Sequence, residues 1–363
     1  MSTPRLLINI EELKYNYSKL QNIGAKRNVT IACVTKSFGA DPKLVQALYD
    51  AGCRAFCDSR LTNFKRYTQL ELTDITRILI RMPAKSEIKE VVSYSDISCN
   101  SEKETLRLLN QEALRQNKKH GVILMVELGD RREGLFPQDI VPLVNTILHE
   151  YKGLEFKGIG TNHACLGAII PDIDKMQQLL SVANTVEKRC TIPCEIISGG
   201  NSANVYMLLD ESLPIGITQL RVGECLLRGN DVNTGQLFPN LKHNLCRLEA
   251  EVIERIDKPS LSEGKMGLNA FGKQLERPKD RGIIRRCLVA LGKQDFGMGD
   301  ITPAEPHFAV LGSSSDHTLV ELLPGSPELK VGDKVLFNVN YGAINSAFLT
   351  DLVEKVYVKK SCS

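Results

Sequence analysis

The feature of this sequence that most constrains its fold is a regular alternation of short apolar runs with longer segments of helical period. Eight apolar, β-branched runs occur in the first 222 residues, at 29–34, 54–57, 77–80, 96–98, 122–126, 156–160, 194–197 and 219–222. Segments of helical period lie between them, for example at 42–51, 102–116, 139–149 and 173–189. Strands of a parallel barrel are buried on both faces and therefore read as continuous apolar runs. The pattern predicts an α/β fold with a (β/α)8 barrel of the TIM type, and spacing alone leaves an open doubly wound sheet as the alternative.

The character of the sequence changes after about residue 235. Six short, alternating segments punctuated by Gly and Pro follow, at 248–256, 283–291, 308–311, 317–322, 334–340 and 352–358. We see no helical segment of comparable length between them, which is typical of a β domain. We therefore predict a barrel over residues 1–235 and a C-terminal β domain over residues 236–363. The segment before the first strand is expected to pack with the β domain or to begin it.

Charge balance and cysteine content exclude several classes of function. The 46 Lys and Arg residues are interleaved with 43 Asp and Glu residues, and they form no basic stripe of the kind that binds nucleic acid. No apolar run reaches membrane-spanning length, and the N-terminus lacks the apolar core of a signal peptide, so we expect a cytoplasmic protein with no membrane partner. The eleven cysteines are scattered, and no cluster completes the pair Cys53 and Cys57, so we expect no metal site.

Lys36 is the first candidate for chemistry, because it follows the apolar run that forms the first predicted barrel strand. The carboxyl ends of barrel strands carry the reacting groups in this fold. An amine walled by apolar side chains loses its proton more easily, and it can then act as a Schiff-base nucleophile. Taken alone, the same lysine could equally extend its ammonium group from the strand end to water.

Two glycine-containing stretches follow the seventh and eighth predicted strands. In the first, 197–202, two glycines allow the backbone to approach an anion closely, and Ser202 adds a hydroxyl donor. This stretch leads into a predicted helix, whose free N–H groups favour a phosphate. The second is 220–224, with the sequence Leu-Arg-Val-Gly-Glu. Because barrels commonly bind phosphate with the loops after these two strands, the sequence predicts a phosphate-bearing ligand beside Lys36.

These stretches resemble the fold-type III pyridoxal-phosphate enzymes, the alanine racemase family, and within it the ornithine racemase-like branch of amino-acid racemases. The matching stretches run in the family's order through nearly the whole chain, at 34–36, 198–202, 220–229, 291–295, 314–317 and 340–343. The resemblance implies a pyridoxal 5'-phosphate (PLP) cofactor, a small amino-acid substrate and a barrel with an added β domain.

The resemblance also implies a role for each matching barrel residue. Lys36 takes the place of the lysine that holds PLP as a Schiff base, and Ser202 with the backbone at Gly223 and Glu224 holds the phosphate. Arg221 matches the arginine that hydrogen-bonds the pyridine nitrogen. Since arginine keeps its proton, the ring nitrogen stays unprotonated and the ring is a weaker electron sink, which disfavours side reactions such as transamination. The remaining residues of the first stretch are also assigned to the cofactor: Ser198, Gly199, Gly200 and Asn201.

Two further barrel residues take roles from the resemblance. His163, just past the sixth predicted strand, resembles the histidine beside the cofactor ring and is a candidate catalytic residue in contact with Arg221; a plain core or surface histidine is the alternative. Arg132 resembles the arginine that reaches the phenolic oxygen of the cofactor and the substrate carboxylate, although Arg131 could take that place. Met125 stands where alanine racemases often carry a carbamylated lysine, so the chain departs from the family there.

Racemisation needs a proton acceptor on each face of the substrate, so a second base must face Lys36. Alanine racemases use a tyrosine from the partner subunit's β domain, and Lys293 aligns with that position here. Tyr341, His317 and Asp295 compete for the role. A base from a neighbouring subunit implies a homodimer with active sites at the subunit interface. The residues assigned to the substrate are Arg132, Asp295, Ser315, Asp316 and His317.

Three alternative functions are considered beside a racemase of basic amino acids. They are an alanine or broad-specificity racemase, a D-amino-acid aldolase or dehydratase of the same fold, and a non-catalytic PLP-binding protein. The lyases hold a metal through a histidine and a second ligand two positions on, whereas His317 is followed at that position by Leu319. The binding proteins resemble a barrel without an added domain, unlike this chain.

The substrate is not fixed by any spacing in the sequence. Four acidic residues at the expected mouth could bind the distal ammonium group of ornithine or another basic amino acid: Asp58, Glu224, Asp295 and Asp316. They could equally be internal partners of the nearby basic residues, which are Arg60, Arg221 and Lys293.

Overall fold

The computed structural model describes residues 4–269, 271–274 and 276–358. The chain divides into two compact units. One consists of residues 12–243, all of which are described, and the other combines the residues up to 11 with those from 244 onward. The boundary expected after residue 235 lies inside the first unit.

The first unit contains a closed barrel of parallel strands, each hydrogen-bonded to the next. Its strands are β2 (Thr30–Val34), β3 (Ala55–Asp58), β4 (Thr76–Leu79), β5 (Ile97–Asn100), β6 (His120–Met125), β7 (Leu154–Gly160), β8 (Ile196–Ser198) and β9 (Gln219–Val222). The last strand pairs with the first, in a register that places Ala32 opposite Arg221. The predicted (β/α)8 barrel is therefore confirmed, and the open sheet is excluded.

Helices follow the barrel strands and cover them. They are α1 (Ile10–Ala25), α2 (Pro42–Asp50), α3 (Leu61–Tyr67), α4 (Ile88–Tyr94), α5 (Lys103–Arg115), α6 (Pro137–Glu150), α7 (Ile173–Cys190), α8 (Val205–Leu209) and α9 (Glu224–Arg228). Short 3-10 turns occur at Thr35–Phe38, Lys85–Glu87 and Ser202–Asn204. Across the described part of the chain, every helix is too short or too polar to span a bilayer.

Local sequence explains where these helices begin and which face they bury. The Asp41 carboxylate accepts the N–H groups of Lys43 and Leu44 and so caps α2, which has proline at its first position. Asp172 caps α7 in the same way, accepting the N–H of Lys175 at 2.8 Å. The buried residues of α7 recur every three or four positions, as expected for a helix packed on a sheet: Met176, Leu179, Val182, Ala183 and Val186.

The barrel core is built from small and branched side chains. A buried cluster joins alternate residues of several strands: Ala32, Val34, Cys57, Ile78, Ile97, Cys99, Ile123 and Met125. Strands present alternate side chains to opposite faces, so residues two apart share the cluster. Truncating a buried residue such as Ile123 to alanine would cost about 2–5 kcal/mol of unfolding free energy.

The second unit is a largely antiparallel sheet. Within its described residues the strands are β1 (Arg5–Asn9), β10 (Cys246–Arg255), β11 (Lys258–Pro259), β12 (Ile283–Ile284), β13 (Arg286–Val289), β14 (Ile301–Pro303), β15 (Phe308–Ser313), β16 (Thr318–Leu322), β17 (Lys334–Val339) and β18 (Glu354–Val358). The main sheet runs in the order β14-β17-β10-β13-β16-β15, and β1 pairs with both β10 and β18. The N-terminal strand is thus a member of this sheet.

The expectation that this unit has no helix comparable in length to those of the barrel is wrong, because its described residues include two helices, one of them as long as α2. They are α10 (Lys293–Phe296) and α11 (Tyr341–Leu349). The side chain of Asn340 accepts the N–H of Ala343 at 3.0 Å and starts α11 directly after β17. The helix is short and apolar on most sides, so its sequence shows no clear 3.6-residue period.

A register shift between β6 and β7 marks a bulge in β7 that depends on glycine. The register between β6 and β7 shifts between Val122 and Ile123, which pair with Phe156 and Gly158. Gly158 has φ +141°, and a Cβ atom there would lie 1.9 Å from the carbonyl oxygen of Ile196 in the adjacent strand. The neighbouring backbone therefore leaves no room for a side chain at this position.

Replacing Gly158 with alanine should lower the free energy of unfolding by at least about 3 kcal/mol, since it adds a backbone clash to conformational strain. Gly52 is a matched control, because it also has positive φ (+96°) but has open space around its Cβ position. Gly52→Ala should cost only about 1–2 kcal/mol. Urea denaturation of both variants tests this, and equal losses would contradict the close approach at Gly158.

His120 gives the barrel a predictable response to acid. Its ring is buried and shares a hydrogen bond of 2.8 Å with the Ser98 hydroxyl, and burial lowers the pKa of His120 to about 4. In the unfolded chain His120 therefore binds a proton near pH 6.5, whereas in the folded chain it binds one only near pH 4. The resulting stability is present above pH 6.5 and is lost as the pH falls to 4.

His120→Asn should reduce this loss by up to about 3 kcal/mol, whereas the exposed His149→Asn should not change it. Unfolding free energies measured from pH 7 to pH 4 provide the test.

Candidate active site

Lys36 lies in the 3-10 turn that follows β2, at the carboxyl end of the barrel. Gly39, with φ 58°, ends this turn in the left-handed region. Burial lowers the pKa of Lys36; the charges of Arg132 and Arg221 lower it further, while Cys165 and Asp58 oppose the shift. The amine can therefore lose its proton more readily than a surface lysine can.

A buried polar network, not anticipated from the sequence, fixes the turn that carries Lys36. The hydroxyl of Thr35 lies 2.6 Å from the carboxylate of Asp58 and 2.7 Å from the hydroxyl of Tyr67. Asn63 donates to both carboxylate oxygens at 3.0 Å, and the backbone N–H of Arg60 donates at 2.8 Å. Burial raises the pKa of Asp58, and these hydrogen bonds oppose the rise. Asp58 is thus fully occupied inside the barrel, and its partner is the backbone of Arg60 and not the guanidinium.

Arg221 is buried on β9, and its guanidinium is held from two sides. One terminal nitrogen donates to the carbonyl of Thr161 at 2.7 Å, and the other donates to the hydroxyl of Ser198. Ser198 in turn donates to the side-chain carbonyl of Gln219 at 3.0 Å. A Cβ atom on Gly160 would lie 3.1 Å from Cβ of Ser198, so glycine at this position fits the close approach of the Ser198 side chain. Ser198 thus supports Arg221, and its expected contact with the cofactor stays a prediction.

Ser202 lies between the loops that follow β8 and β9. Its hydroxyl oxygen accepts the backbone N–H groups of Gly223 at 3.2 Å and Cys225 at 3.3 Å. Both bonds use the oxygen as acceptor, so the hydroxyl hydrogen stays available for an anion. A Cβ atom on Gly223 would lie 3.0 Å from Cβ of Val34, which explains glycine at that position. The side chain of the next residue, Glu224, pairs with Arg228 at 2.9 Å and not with Arg221.

The glycines of the 198–202 stretch are explained by internal packing. Gly200 has φ +136°, and a Cβ atom there would lie 2.1 Å from the side-chain oxygen of Asn204. A Cβ atom on Gly199 would lie 2.7 Å from the side chain of Ile217. These contacts require glycine whether or not an anion binds nearby.

The side chain of Asn201 holds the neighbouring loop through hydrogen bonds. Its side-chain oxygen accepts the N–H of Ala203 at 2.7 Å, and its amide nitrogen donates to Asn162 at 2.9 Å and to the carbonyl of His163 at 2.8 Å. Both amide hydrogens are therefore used, and the side chain has no donor left for a ligand in this arrangement.

His163 has a fully buried ring whose two nitrogens have no hydrogen-bond partner among the described residues. The expected contact with Arg221 is therefore not a hydrogen bond. Burial lowers the pKa of His163 to about 4, with further lowering by Lys175 and Arg221. The ring is neutral near pH 7, and its polar atoms lack the partners that buried nitrogens normally have.

Arg132, on the loop after β6, is held by its neighbours. Its guanidinium forms a two-point ion pair with Glu133, and its remaining nitrogen contacts the sulfur of Cys165. The guanidinium of Arg131 instead lies over the ring of Phe136, 5.6 Å from its centroid. The charge of Arg132 is one of those that lower the pKa of Lys36.

The candidate residues of the second unit form a group of their own. The amine of Lys293 donates to the carbonyl of Gly299 at 2.9 Å and lies 4.5 Å from the ring centroid of Phe296. The Asp295 carboxylate accepts the N–H of Gly292 at 2.7 Å, which caps α10, and burial raises the pKa of Asp295. Asp295 and Lys293 are therefore not each other's partners.

Two other segments lie beside α10. The backbone of Lys293 donates to the carbonyl of Ser314 at 2.9 Å, which places the turn 314–317 against the helix; Asp316 and His317 are exposed there, and Ser315 is partly buried. Tyr341 is the first residue of α11, whose backbone approaches the loop after α10 so closely that a Cβ atom on Gly299 would lie 2.0 Å from the nitrogen of Ala343. Among the described residues, no group of three or more His, Cys, Asp or Glu side chains could hold a metal ion.

Comparison with known proteins identifies relatives along the whole chain. The family model described as "Alanine racemase, N-terminal domain" matches residues 8–231. The ornithine racemase of Acetoanaerobium sticklandii is 36% identical over 97% of this chain and 99% of its own length. The lysine racemase of Thermotoga maritima is 34% identical over 98% of this chain and 99% of its own length.

Solved structures show the same fold at lower identity. An alanine racemase of Clostridium difficile 630 superposes with a TM-score of 0.75 at 16% identity, covering 99% of this chain and 96% of that one. The D-threonine aldolase of Filomicrobium marinum gives a TM-score of 0.71 at 14% identity, covering 96% and 88%. At such identities the likeness concerns the fold alone. The resemblance seen in the sequence motifs is nevertheless confirmed by the family match and the two near-full-length relatives, and the chain belongs to the alanine racemase family.

Proposed function

We propose that this protein is a PLP-dependent racemase that interconverts the L and D forms of a basic amino acid such as ornithine or lysine. The observation that carries the proposal is the convergence of Lys36, an amine poised to lose its proton, with the buried guanidinium of Arg221 at one end of the barrel. The ornithine racemase and lysine racemase among its relatives support the reaction and the substrate class. The aldolase likeness carries no comparable weight, because it extends only to the fold.

The residues at the barrel mouth fit PLP. Lys36 would hold the cofactor covalently, Ser202 and the backbone at Gly223 and Glu224 would hold its phosphate, and Arg221 would face the ring nitrogen. The two unpartnered nitrogens of His163 would lie close to the ring. When bound, the cofactor supplies an electron-withdrawing ring that makes the α-hydrogen of the amino acid acidic. Because Arg221 keeps its proton, it limits that withdrawal and favours return of the proton to the same carbon.

Lys36 is proposed as the base for one face of the substrate. Its lowered pKa places more of the amine in the neutral form that accepts a proton. Lys293 is proposed as the opposing base, with Tyr341, His317 and Asp295 as the alternatives. In support of Lys293, the carbonyl of Gly299 holds its amine in one orientation. Following the family resemblance, we propose that the opposing base comes from the partner subunit of a homodimer.

Arg132 is proposed to bind the substrate carboxylate. For the distal ammonium group of a basic substrate, the four acidic candidates differ in their partners. Asp58, Glu224 and Asp295 are each engaged by internal hydrogen bonds or ion pairs. Asp316 is exposed, and no such bond of its carboxylate is found within the described residues, so Asp316 is the candidate we favour.

Lys36→Ala should abolish both turnover and the visible absorbance of the bound cofactor, because the covalent attachment is lost. Borohydride reduction of the wild-type holoenzyme, followed by peptide mass spectrometry, should locate the cofactor on the peptide containing Lys36. Lys188→Ala, on the exposed face of α7, serves as the control and should keep both properties. Cofactor found on a different lysine would overturn the assignment.

The substrate class is tested by α-hydrogen exchange in deuterated water with added PLP. L-Ornithine and L-lysine should exchange the α-hydrogen and yield the D form, with kcat/KM at least about tenfold above that for L-alanine, a difference of about 1.4 kcal/mol. Exchange with alanine but with none of ornithine, lysine and arginine would contradict the substrate class. Absence of exchange with every amino acid would instead favour a non-catalytic PLP-binding protein.

A further inference from the structure

A buried carboxylate joins the loops that follow β6 and β7. The side chain of Asp130 is only 4% exposed, and it accepts three consecutive backbone N–H groups. One carboxylate oxygen accepts from Cys165 and Gly167, both at 3.2 Å, and the other accepts from Leu166 at 3.4 Å. Hydrogen bonds from backbone N–H groups to an ionised carboxylate are stronger than those between neutral groups.

The backbone geometry on both sides suits this contact. A Cβ atom on Gly167 would lie 2.7 Å from the backbone carbonyl of Asp130, so a side chain there would push the two loops apart. Arg131, the residue after Asp130, has φ 56°, a conformation that few side chains adopt without support. Residues 165–167 are themselves exposed, and the buried carboxylate of Asp130 accepts all three of their backbone N–H groups, which ties this exposed loop to the interior.

The loop of residues 165–167, which Asp130 holds and which we call the clamped loop, carries a side chain that contacts Arg132. The sulfur of Cys165 contacts one terminal nitrogen of the guanidinium, while Glu133 occupies the other two nitrogens. Both Cys165 and Arg132 lie near enough to Lys36 to act on its charge. Met125, at the end of β6, is buried and apolar and provides no charge to Arg132. The guanidinium is therefore oriented by Glu133 on one side and by the clamped loop on the other.

We propose that Asp130 is a positioning residue of the substrate site: by holding the backbone of residues 165–167, it keeps Cys165 against Arg132 and so fixes the guanidinium that binds the substrate carboxylate. The last step rests on the proposed function. Ser202 and Gly223 follow β8 and β9 and do not contact Asp130, so loss of the Asp130 carboxylate should weaken substrate binding without emptying the cofactor site.

The contact is tested by hydrogen exchange of the backbone amides of residues 165–167 in the holoenzyme. In Asp130→Ala these amides should exchange at least about tenfold faster, because they no longer have hydrogen bonds to the carboxylate that must break before exchange. Asp130→Asn keeps the oxygen that accepts from two of the three groups and should give intermediate protection. Asp139→Ala removes an exposed carboxylate from the start of α6 and should change nothing. Unchanged exchange in Asp130→Ala would overturn the proposal.

The consequence for the substrate is tested by steady-state kinetics on L-ornithine. Asp130→Ala should raise KM about tenfold, with cofactor absorbance retained and kcat changed by less than about threefold, and Asp130→Asn should recover part of the loss. If Asp130→Ala does not fold, Gly167→Ala disrupts the same contact and should give the same split. Faster exchange without a rise in KM would overturn the positioning role, whereas a wild-type enzyme inactive on every amino acid would refute the proposed function and leave the exchange result standing.

Discussion

The pairing of β2 with β9 is the interaction on which the rest of the site depends. It closes the barrel and places Ala32 directly opposite Arg221, which brings the turn after β2 beside the end of β9. Lys36 and Arg221 are far apart in the sequence and meet only because the ring is closed. The other barrel candidates lie at or just after the carboxyl ends of strands, which all lie at the same end of that ring, so closure fixes their neighbourhood as well.

The groups around Lys36 have opposing effects on the pKa of its amine. Burial and two guanidinium groups favour the neutral amine, while the buried carboxylate of Asp58 favours the charged form. Asp58 cannot be exchanged simply for an apolar residue, since it also accepts hydrogen bonds from Thr35 and Asn63 that hold the turn. The same carboxylate thus orients the backbone of the lysine and moderates the ease with which the lysine loses its proton.

The barrel could be predicted closely from the sequence because most residues of its strands are buried and apolar, although β4 and β7 also carry charged residues such as Arg77 and Glu155. The boundaries of four strands, β5 to β8, differ from the prediction by up to two residues, which is within the usual uncertainty of strand ends. The helix α11 could not be predicted in the same way, because its start depends on one side-chain cap at Asn340 and its residues are apolar on most sides.

The prediction of the site was less complete, for a physical reason. A sequence shows which polar residues follow a strand, but it does not show which partner each side chain selects. Ser198 and Asn201 lie in the expected stretch, yet their hydrogen bonds go to Arg221 and to the His163 loop. The sequence does not single out Asp130 and Glu133, because both lie in a run of charged residues that is typical of a solvent-exposed loop.

The support of Arg221 extends away from the reacting end of the barrel. Ser198 receives one hydrogen bond from the guanidinium and donates another to Gln219, the first residue of β9. Gln219 also lines a cavity at the opposite, amino-terminal end of the strands, together with Thr30 and Thr76. Two side chains therefore connect the floor of the barrel with the arginine near its mouth. Hydrogen bonds in a chain polarise one another, so a substitution of Gln219 at the amino-terminal end should change the hydrogen bond that Ser198 accepts from Arg221.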